Sequence, residues 1–285
     1  MVRSRPPAPP GRRVGRYPRA VQPAPGASGD GAALGRVAEV WRYPVKSLGG
    51  EELVRALCER RGVRGDRRWA VIGEDGRIGS GKTTRRFRRM PGLLSLRART
   101  DDAGDVWVEL PDGRRGRVED PMTAAWLSEV TGEPVRLRQE SGTSHFDDAP
   151  LHLVTTGSLS DLGPLGLDGP LADRRRFRPN LLLAADAPLD PPCRLLVGST
   201  VVLAISAATA RCVMTTMAQP GLELAPAILK RLEQHRGGCL GVYATVEREG
   251  EVAVGDPVTV LDGASRQLRS APAPSISRRP ATRTG

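Results

Sequence analysis

Short apolar runs, each ended within a few residues by a glycine, proline or aspartate turn, recur from residue 35 to residue 261 of this chain and leave room for few helices. Gly35–Tyr43 reads as a strand with a bend, since its apolar residues alternate only loosely. Trp69–Ile72 reads as a short strand closed by Glu74-Asp75-Gly76, and Asp105–Leu110 as one closed by Pro111-Asp112-Gly113. Pro121–Val130 is the first good helix, with Asp120 as N-cap, Pro121 at its first position and Gly132 as its end. From Leu151 the pattern predicts a strand, a short helix (Ser158–Leu162) and a strand (Leu181–Ala185). Leu195–Ile205 predicts two strands around Gly198-Ser199, Leu222–Gln234 a helix, Val242–Val246 with Val252–Val254 a hairpin, and Pro257–Leu261 a last strand. The implied class is mainly β with peripheral helices (α+β), a barrel-like architecture with small helices outside.

Composition matters here mainly for what it excludes. The formal charge of +11 invites a nucleic-acid reading, but residues 1–30 and 265–285 hold eleven of the 43 Lys and Arg against one Asp. The body is therefore close to neutral, and no specific nucleic-acid partner is expected. The ordered chain is expected from Leu34 to residue 264, between two disordered basic tails, 1–33 and 265–285. Cys58, Cys193, Cys212 and Cys239 are far apart, with no C-x-x-C, which argues against a zinc knuckle, an iron–sulfur cluster and a disulfide framework. Free thiols suit a reducing, cytoplasmic location. No apolar run approaches a membrane span. Arg12-Arg13 hints at an export signal, yet no apolar stretch follows it.

Gly76-Arg-Ile-Gly-Ser-Gly81-Lys82-Thr83 fits the phosphate-binding pattern G-x-x-x-x-G-K-[ST]. Such a loop needs a helix starting at the lysine, whose N-terminus supplies the amide donors. Here mostly basic residues run to Pro91-Gly92, and a hairpin turning at Gly73–Arg77 explains the glycines as well. Tyr43-Pro-Val-Lys-Ser47 sets a cation beside a hydroxyl at a rigid strand exit. Asp66-Arg67 enters a strand, and Arg174-Arg-Arg-Phe-Arg178-Pro-Asn180 runs into another, bringing the side chain suited to bidentate anion binding. In Ala210-Arg211-Cys212-Val-Met-Thr-Thr216 an arginine adjoins a cysteine, a setting that favours a thiolate able to bind a soft metal.

Taken together, Tyr43–Ser47, Asp66-Arg67, Arg176–Asn180, Arg211–Thr216 and Val254-Gly-Asp-Pro-Val258 resemble the MOSC family, in the family's order, over about Leu34 to Leu261. The layout is similar to the subgroup with an N-terminal MOSC β-barrel domain (34–140) ahead of a MOSC domain (141–264), like the amidoxime-reducing component and its bacterial relatives. The resemblance implies a molybdenum cofactor (Mo-molybdopterin) with Cys212 as metal ligand and catalytic residue. Lys46, Ser47, Arg67, Arg178, Ala210, Arg211 and Tyr243 are then cofactor contacts, with Ala210 standing where serine is more usual. Asp148 and Ala149 fall in a cofactor loop that carries hydroxyl residues in some relatives. At family level the resemblance also brings in pyridoxal phosphate as a ligand. The implied activity is reduction of small N-hydroxylated compounds, with water released. The electrons would come from a separate donor protein, ferredoxin- or haem-protein-like with its reductase, because the sequence holds neither a dinucleotide fingerprint nor ferredoxin cysteine spacing. A non-catalytic cofactor or sulfur carrier is the alternative.

Overall fold

The structure, a computed structural model, describes residues 31–262. The chain opens with β1 (Ala32–Arg42), β2 (Glu51–Leu53), β3 (Arg55–Glu59) and β4 (Gly62–Val63). Next come β5 (Trp69–Gly73), β6 (Ile78–Ser80), β7 (Phe87–Arg89), β8 (Arg97–Thr100), β9 (Val106–Glu109) and β10 (Arg115–Arg117). Helix α1 (Pro121–Thr131) and β11 (Val135–Gln139) follow. The second half holds β12 (Leu151–Thr155), α2 (Thr156–Ser160), β13 (Leu181–Ala184), β14 (Cys193–Val197) and β15 (Val201–Ala210). It ends with α3 (Ala227–Arg236), β16 (Cys239–Arg248), β17 (Gly250–Ala253) and β18 (Pro257–Asp262).

Seven strands close into a barrel in the order β13-β12-β16-β15-β14-β18-β1, because β1 pairs with β18 along its first half and with β13 farther on. Closure leaves no open edge among these seven, and β2 extends the sheet beyond β1. The bend expected in β1 is real: its register slips at Ala33/Gly35 against β18 and at Val37/Glu39 against β13, turning the strand from one partner to the other. Val37, Val40, Leu151, Leu153, Leu181, Leu183, Leu203, Ile205, Val242 and Ala244 point inward and fill the barrel. A second core, built on Val45, Val71, Met90, Leu93, Val108 and Leu127, lies among the sheets β11-β5-β6-β7 and β10-β9-β8 and helix α1. The helix is capped as read, Asp120 accepting from Met122 N at 2.8 Å and Gly132 taking the left-handed conformation.

Four details differ from the sequence reading. The chain is ordered from Ala32 rather than Leu34, since Ala32 and Ala33 already pair with Val260 and Thr259. The hairpin of Val242–Val246 with Val252–Val254 does not form: β17 turns away from β16 and pairs with β3 instead. Helix α3 starts after Pro226, not at Leu222, which bridges to Gln219. Helix α2 starts at Thr156, two residues before Ser158, with Thr155 Oγ1 accepting from Ser158 N. Most of the expected basic tails lie outside the described residues. Among the described residues, no helix is long and apolar enough to cross a membrane.

Candidate functional site

Beyond Arg42 the chain leaves β1, because Pro44 has no amide proton to continue the ladder. Tyr43–Ser47 then follows β5, held by Val45 bridging Trp69 and by Lys46 N donating to Trp69 O at 2.8 Å. Ser47 is left-handed at φ 70 and its hydroxyl donates to Gly79 O. Lys46 is buried, its ammonium 3.0 Å from Asp147 Oδ2. Asp66 is fully buried; it accepts from Tyr43 N at 2.8 Å and pairs with the Arg67 guanidinium. The Arg67 and Arg178 guanidinium groups both stack on the Tyr43 ring, 4.9 and 4.2 Å from its centroid. Arg178 donates to Leu48 O at 2.7 Å. Tyr43 thus spaces two cations whose loops come from opposite halves of the chain.

Ser47, Arg67 and Arg178 are the only non-glycine residues with positive φ among the described residues. Each costs about 1–2 kcal/mol relative to ordinary backbone. All three line one cleft, together with Lys46, Asp148, Ala149, Ala210, Arg211, Cys212 and Tyr243. Every site residue read from the sequence is therefore brought to the same place.

The wall opposite Tyr43 is the loop leaving β15. Cys212 precedes a single 3-10 turn, Val213–Thr216, and its carbonyl accepts from Thr215 N and Oγ1. The thiol is half-buried and has no hydrogen-bond partner among the described residues. The loop is fixed by Arg176, buried and donating to Pro170 O, Met217 O and Glu223 O. Arg211 donates to Phe177 O at 2.7 Å and to His152 Nε2 at 3.3 Å, while its Nε is shut off from water with no partner. His152 Nε2 also lies 3.4 Å from Leu240 O, and its Nδ1 lies 3.5 Å from Arg178 O. Burial and then Arg211 hold its pKa well below the usual value, so it is neutral. Thr209 Oγ1 is a second orphaned polar atom in the cleft wall.

Lys82, Asp147 and His152 line the cleft as well, and the sequence reading assigned none of them a cofactor contact. Lys82 stood in plain sight in the phosphate-loop pattern. The structure shows that pattern as the β5–β6 turn, with Gly76 N bonded to Gly73 O, followed by strand pair β6–β7 and no helix. Gly81 has a different job, since a Cβ there would lie 2.5 Å from Met214 and Met217. Its absence lets the hairpin abut the Cys212 loop and delivers Lys82, whose ammonium is 2.9 Å from Asp147 Oδ1.

Electrostatically the cleft is an anion receptor. Burial works to raise the Asp147 carboxyl, but Lys46 and Lys82 outweigh it and hold the group below the ordinary carboxylate range. Arg178 and Arg211 have no carboxylate partner; burial draws Arg178 down to about 10 and lowers Arg211 as well. Their direct partners are carbonyl oxygens, the Tyr43 ring and His152 Nε2, all uncharged, which leaves an excess of positive charge at the cleft. No three His, Cys, Asp or Glu side chains gather to hold a metal among the described residues. A metal here would take Cys212 from the protein and its other ligands from an organic cofactor. The donor set fits an anionic cofactor of that kind: one thiol, six cations and two unsatisfied polar atoms.

One pH effect follows. Burial lowers Lys46 from 10.5 to about 8, against the opposing pull of Asp147. Between those values the unfolded chain binds the proton and the folded chain does not, so stability of the cofactor-free protein rises with pH across that window. The gain is at most about 3 kcal/mol, and below the window the cost of the buried charge is fully present. Urea unfolding from about pH 7 to about pH 10 should show this rise, and Lys46→Met should flatten it.

Residues 34–151 match the MOSC N-terminal beta barrel domain, and residues 138–259 match the MOSC domain. The mitochondrial amidoxime reducing component 2 of Bos taurus is 25% identical over 284 residues, covering 79% of this chain and 83% of its own length. The mitochondrial amidoxime-reducing component 1 of Homo sapiens is 24% identical over 287 residues, covering 80% and 83%. Among solved structures, the YUAD protein from Bacillus subtilis aligns at a TM-score of 0.44 and 14% identity, over 79% of this chain and 94% of that one. With the two domain matches running without a gap from residue 34 to residue 259 around a closed seven-stranded barrel, the chain belongs to the MOSC family.

Proposed function

We propose that this chain binds a molybdenum–molybdopterin cofactor in the cleft. It works as an oxidoreductase that reduces small N-hydroxylated compounds with electrons from a separate, ferredoxin- or haem-protein-like donor. The observation that carries this reading is one half-buried thiol in a cleft lined by six cations, three of them without carboxylate ion pairs, and held by three left-handed residues. The names of the relatives, amidoxime-reducing components, support the substrate class. The free cysteines support a reducing, cytoplasmic setting.

When bound, the cofactor supplies two-electron redox chemistry at a metal centre. Cys212 would be its protein ligand, and Lys46, Lys82, Arg67, Arg178 and Arg211 would hold its anionic groups. His152 Nε2 lies 3.3 Å from Arg211 Nη1 and its Nδ1 lies 3.5 Å from Arg178 O, so one neutral imidazole steadies both arginine segments. Reduction of an N–OH group to N–H consumes two protons. Tyr243 Oη lies 3.5 Å from Asp148 Oδ2, and burial raises the phenol to about 12, so it stays a proton donor at neutral pH.

Purified protein should carry molybdenum and pterin in equal amounts and reduce an aromatic amidoxime from reduced methyl viologen, but not from a nicotinamide alone. Absence of molybdenum would overturn the cofactor reading. Metal and pterin without turnover would identify a carrier, and direct use of the nicotinamide would remove the separate donor.

A further inference from the structure

We propose that the rim of the sheet β11-β5-β6-β7 beside the cleft, marked by the exposed Arg85, Arg89, Arg136 and Arg138, is the docking surface for an acidic electron-donor protein. The proposal rests on the reductase reading above. Its starting point is a charge asymmetry. Residues 76–100 hold eight Lys and Arg and no Asp or Glu, whereas residues 31–264 as a whole hold 32 basic and 31 acidic residues. The rest of the body is therefore net acidic, and the positive charge is concentrated in one segment. That segment is tied to the cleft at three points: Lys82 to Asp147, Arg86 Nη1 to Phe146 O at 2.8 Å, and Gly81 against Met214 and Met217.

The register puts the arginines on a common face. Arg136 pairs with Ile72, Ile72 with Ile78 and Ile78 with Phe87, so these four share one side of the sheet, buried at Ile72, Ile78 and Phe87 and open at its edges. Arg138 and Arg89, two residues along the edge strands β11 and β7, lie on that side too. Arg85 sits at the apex of the β6–β7 turn. This turn is held rigid by Thr84 Oγ1 accepting from Arg86 N and Phe87 N, and by Thr83 Oγ1 accepting from Arg89 N. All four arginines are exposed, and none has a side-chain hydrogen bond or ion pair among the described residues. Other arginines of the same neighbourhood do find partners: Arg77 and Arg88 pair with Asp75, and Arg88 also with Glu133.

None of the four lines the cleft, so they do not hold its ligand or bind what enters it. Electron transfer falls steeply with distance, so a donor must dock at the rim. Exposed rim charges act mainly on association and its salt dependence, and a preorganised arginine edge with unspent charge has that property.

The test uses the full cofactor-loaded chain with reduced plant-type [2Fe–2S] ferredoxin, an acidic protein, as probe. It compares wild type, Arg85→Glu/Arg89→Glu, and a control with the same charge change elsewhere, Arg55→Glu/Arg60→Glu. Ferredoxin binding by calorimetry is expected to weaken tenfold or more in the rim variant at low salt, and the gap should close as salt is raised. Turnover from methyl viologen and the KM for substrate should not change. Equal weakening in rim and control variants, or a rim variant that binds ferredoxin like wild type, overturns the proposal. A rim variant that loses affinity for an anionic substrate instead of ferredoxin also overturns it. Loss of viologen turnover in wild type counts against the reductase reading, whereas the binding comparison still decides the surface.

Discussion

Cys212→Ala is expected to leave a folded protein that carries no molybdenum. The sulfur is half-buried and makes no hydrogen bond, and the turn it precedes is closed by the Cys212 carbonyl, which alanine retains. Loss of stability should therefore stay within about 0.5 kcal/mol, as for a surface substitution outside any network. Elemental analysis with urea unfolding separates the two effects. Cys58→Ala supplies the contrast: that thiol is sealed in the barrel core, and burial pushes it up to about 12. Its removal should leave metal content alone and cost about 1 kcal/mol of packing. Full metal occupancy in Cys212→Ala would end the assignment of that residue as ligand.

Asp66→Asn is expected to do the opposite, damaging fold and cofactor retention together. The amide can still accept from Tyr43 N, so what disappears is the negative charge opposite Arg67. Asp66 is fully buried and the Arg67 side chain is 14% exposed. Leaving that guanidinium without its partner should cost about 3–5 kcal/mol. The double variant Asp66→Asn/Arg67→Met should recover much of the stability, because no unpaired charge remains, while pterin retention stays low. A single variant as stable as wild type would mean that the pair contributes nothing to holding the left-handed Arg67 in place.

The parts of the fold legible in the sequence were the alternating or continuously apolar strands without a basic face. β9 and β16 show their apolar alternation openly, and β5 and β12 are short runs buried almost throughout. β7, β8, β10 and β11 are strands whose outward positions are largely arginines, as in Arg97-Ala-Arg-Thr100 and Val135-Arg-Leu-Arg-Gln139, and the sequence reading assigned no strand to them. β2 and β4 are too short for any periodicity. The misplaced start of α3 is a matter of weighting: Leu222 and Leu224 continue the apolar pattern backward, but Pro226 fits the N-terminal edge of a helix better than its interior. Loop β16–β17 has the composition of a hairpin, and only the competing edge of β3 decides where β17 goes.

The site divides in the same way. Lys46, Arg67, Arg178 and Cys212 are carried by local motifs, so their chemistry could be read before their positions. Asp147 and His152 act through partners far away in the chain, namely Lys46 and Arg211, and no spacing rule announces such a pairing. The left-handed backbones of Ser47, Arg67 and Arg178 were equally invisible. Nothing in a serine or arginine signals positive φ, which only the surrounding tertiary contacts enforce.

The join between β1 and β18 has a consequence for how the molecule comes into being. Ala32 pairs with Val260, so the last of the described strands is a neighbour of the first. A barrel closed by such a distant pairing has high contact order, and it cannot be completed until β18 has been made. Lys46 and Arg67 wait in one half of the chain for Arg178, Cys212 and Tyr243 in the other. A ligand held by both groups can therefore bind only after both have been made, and neither half expressed alone is expected to retain pterin.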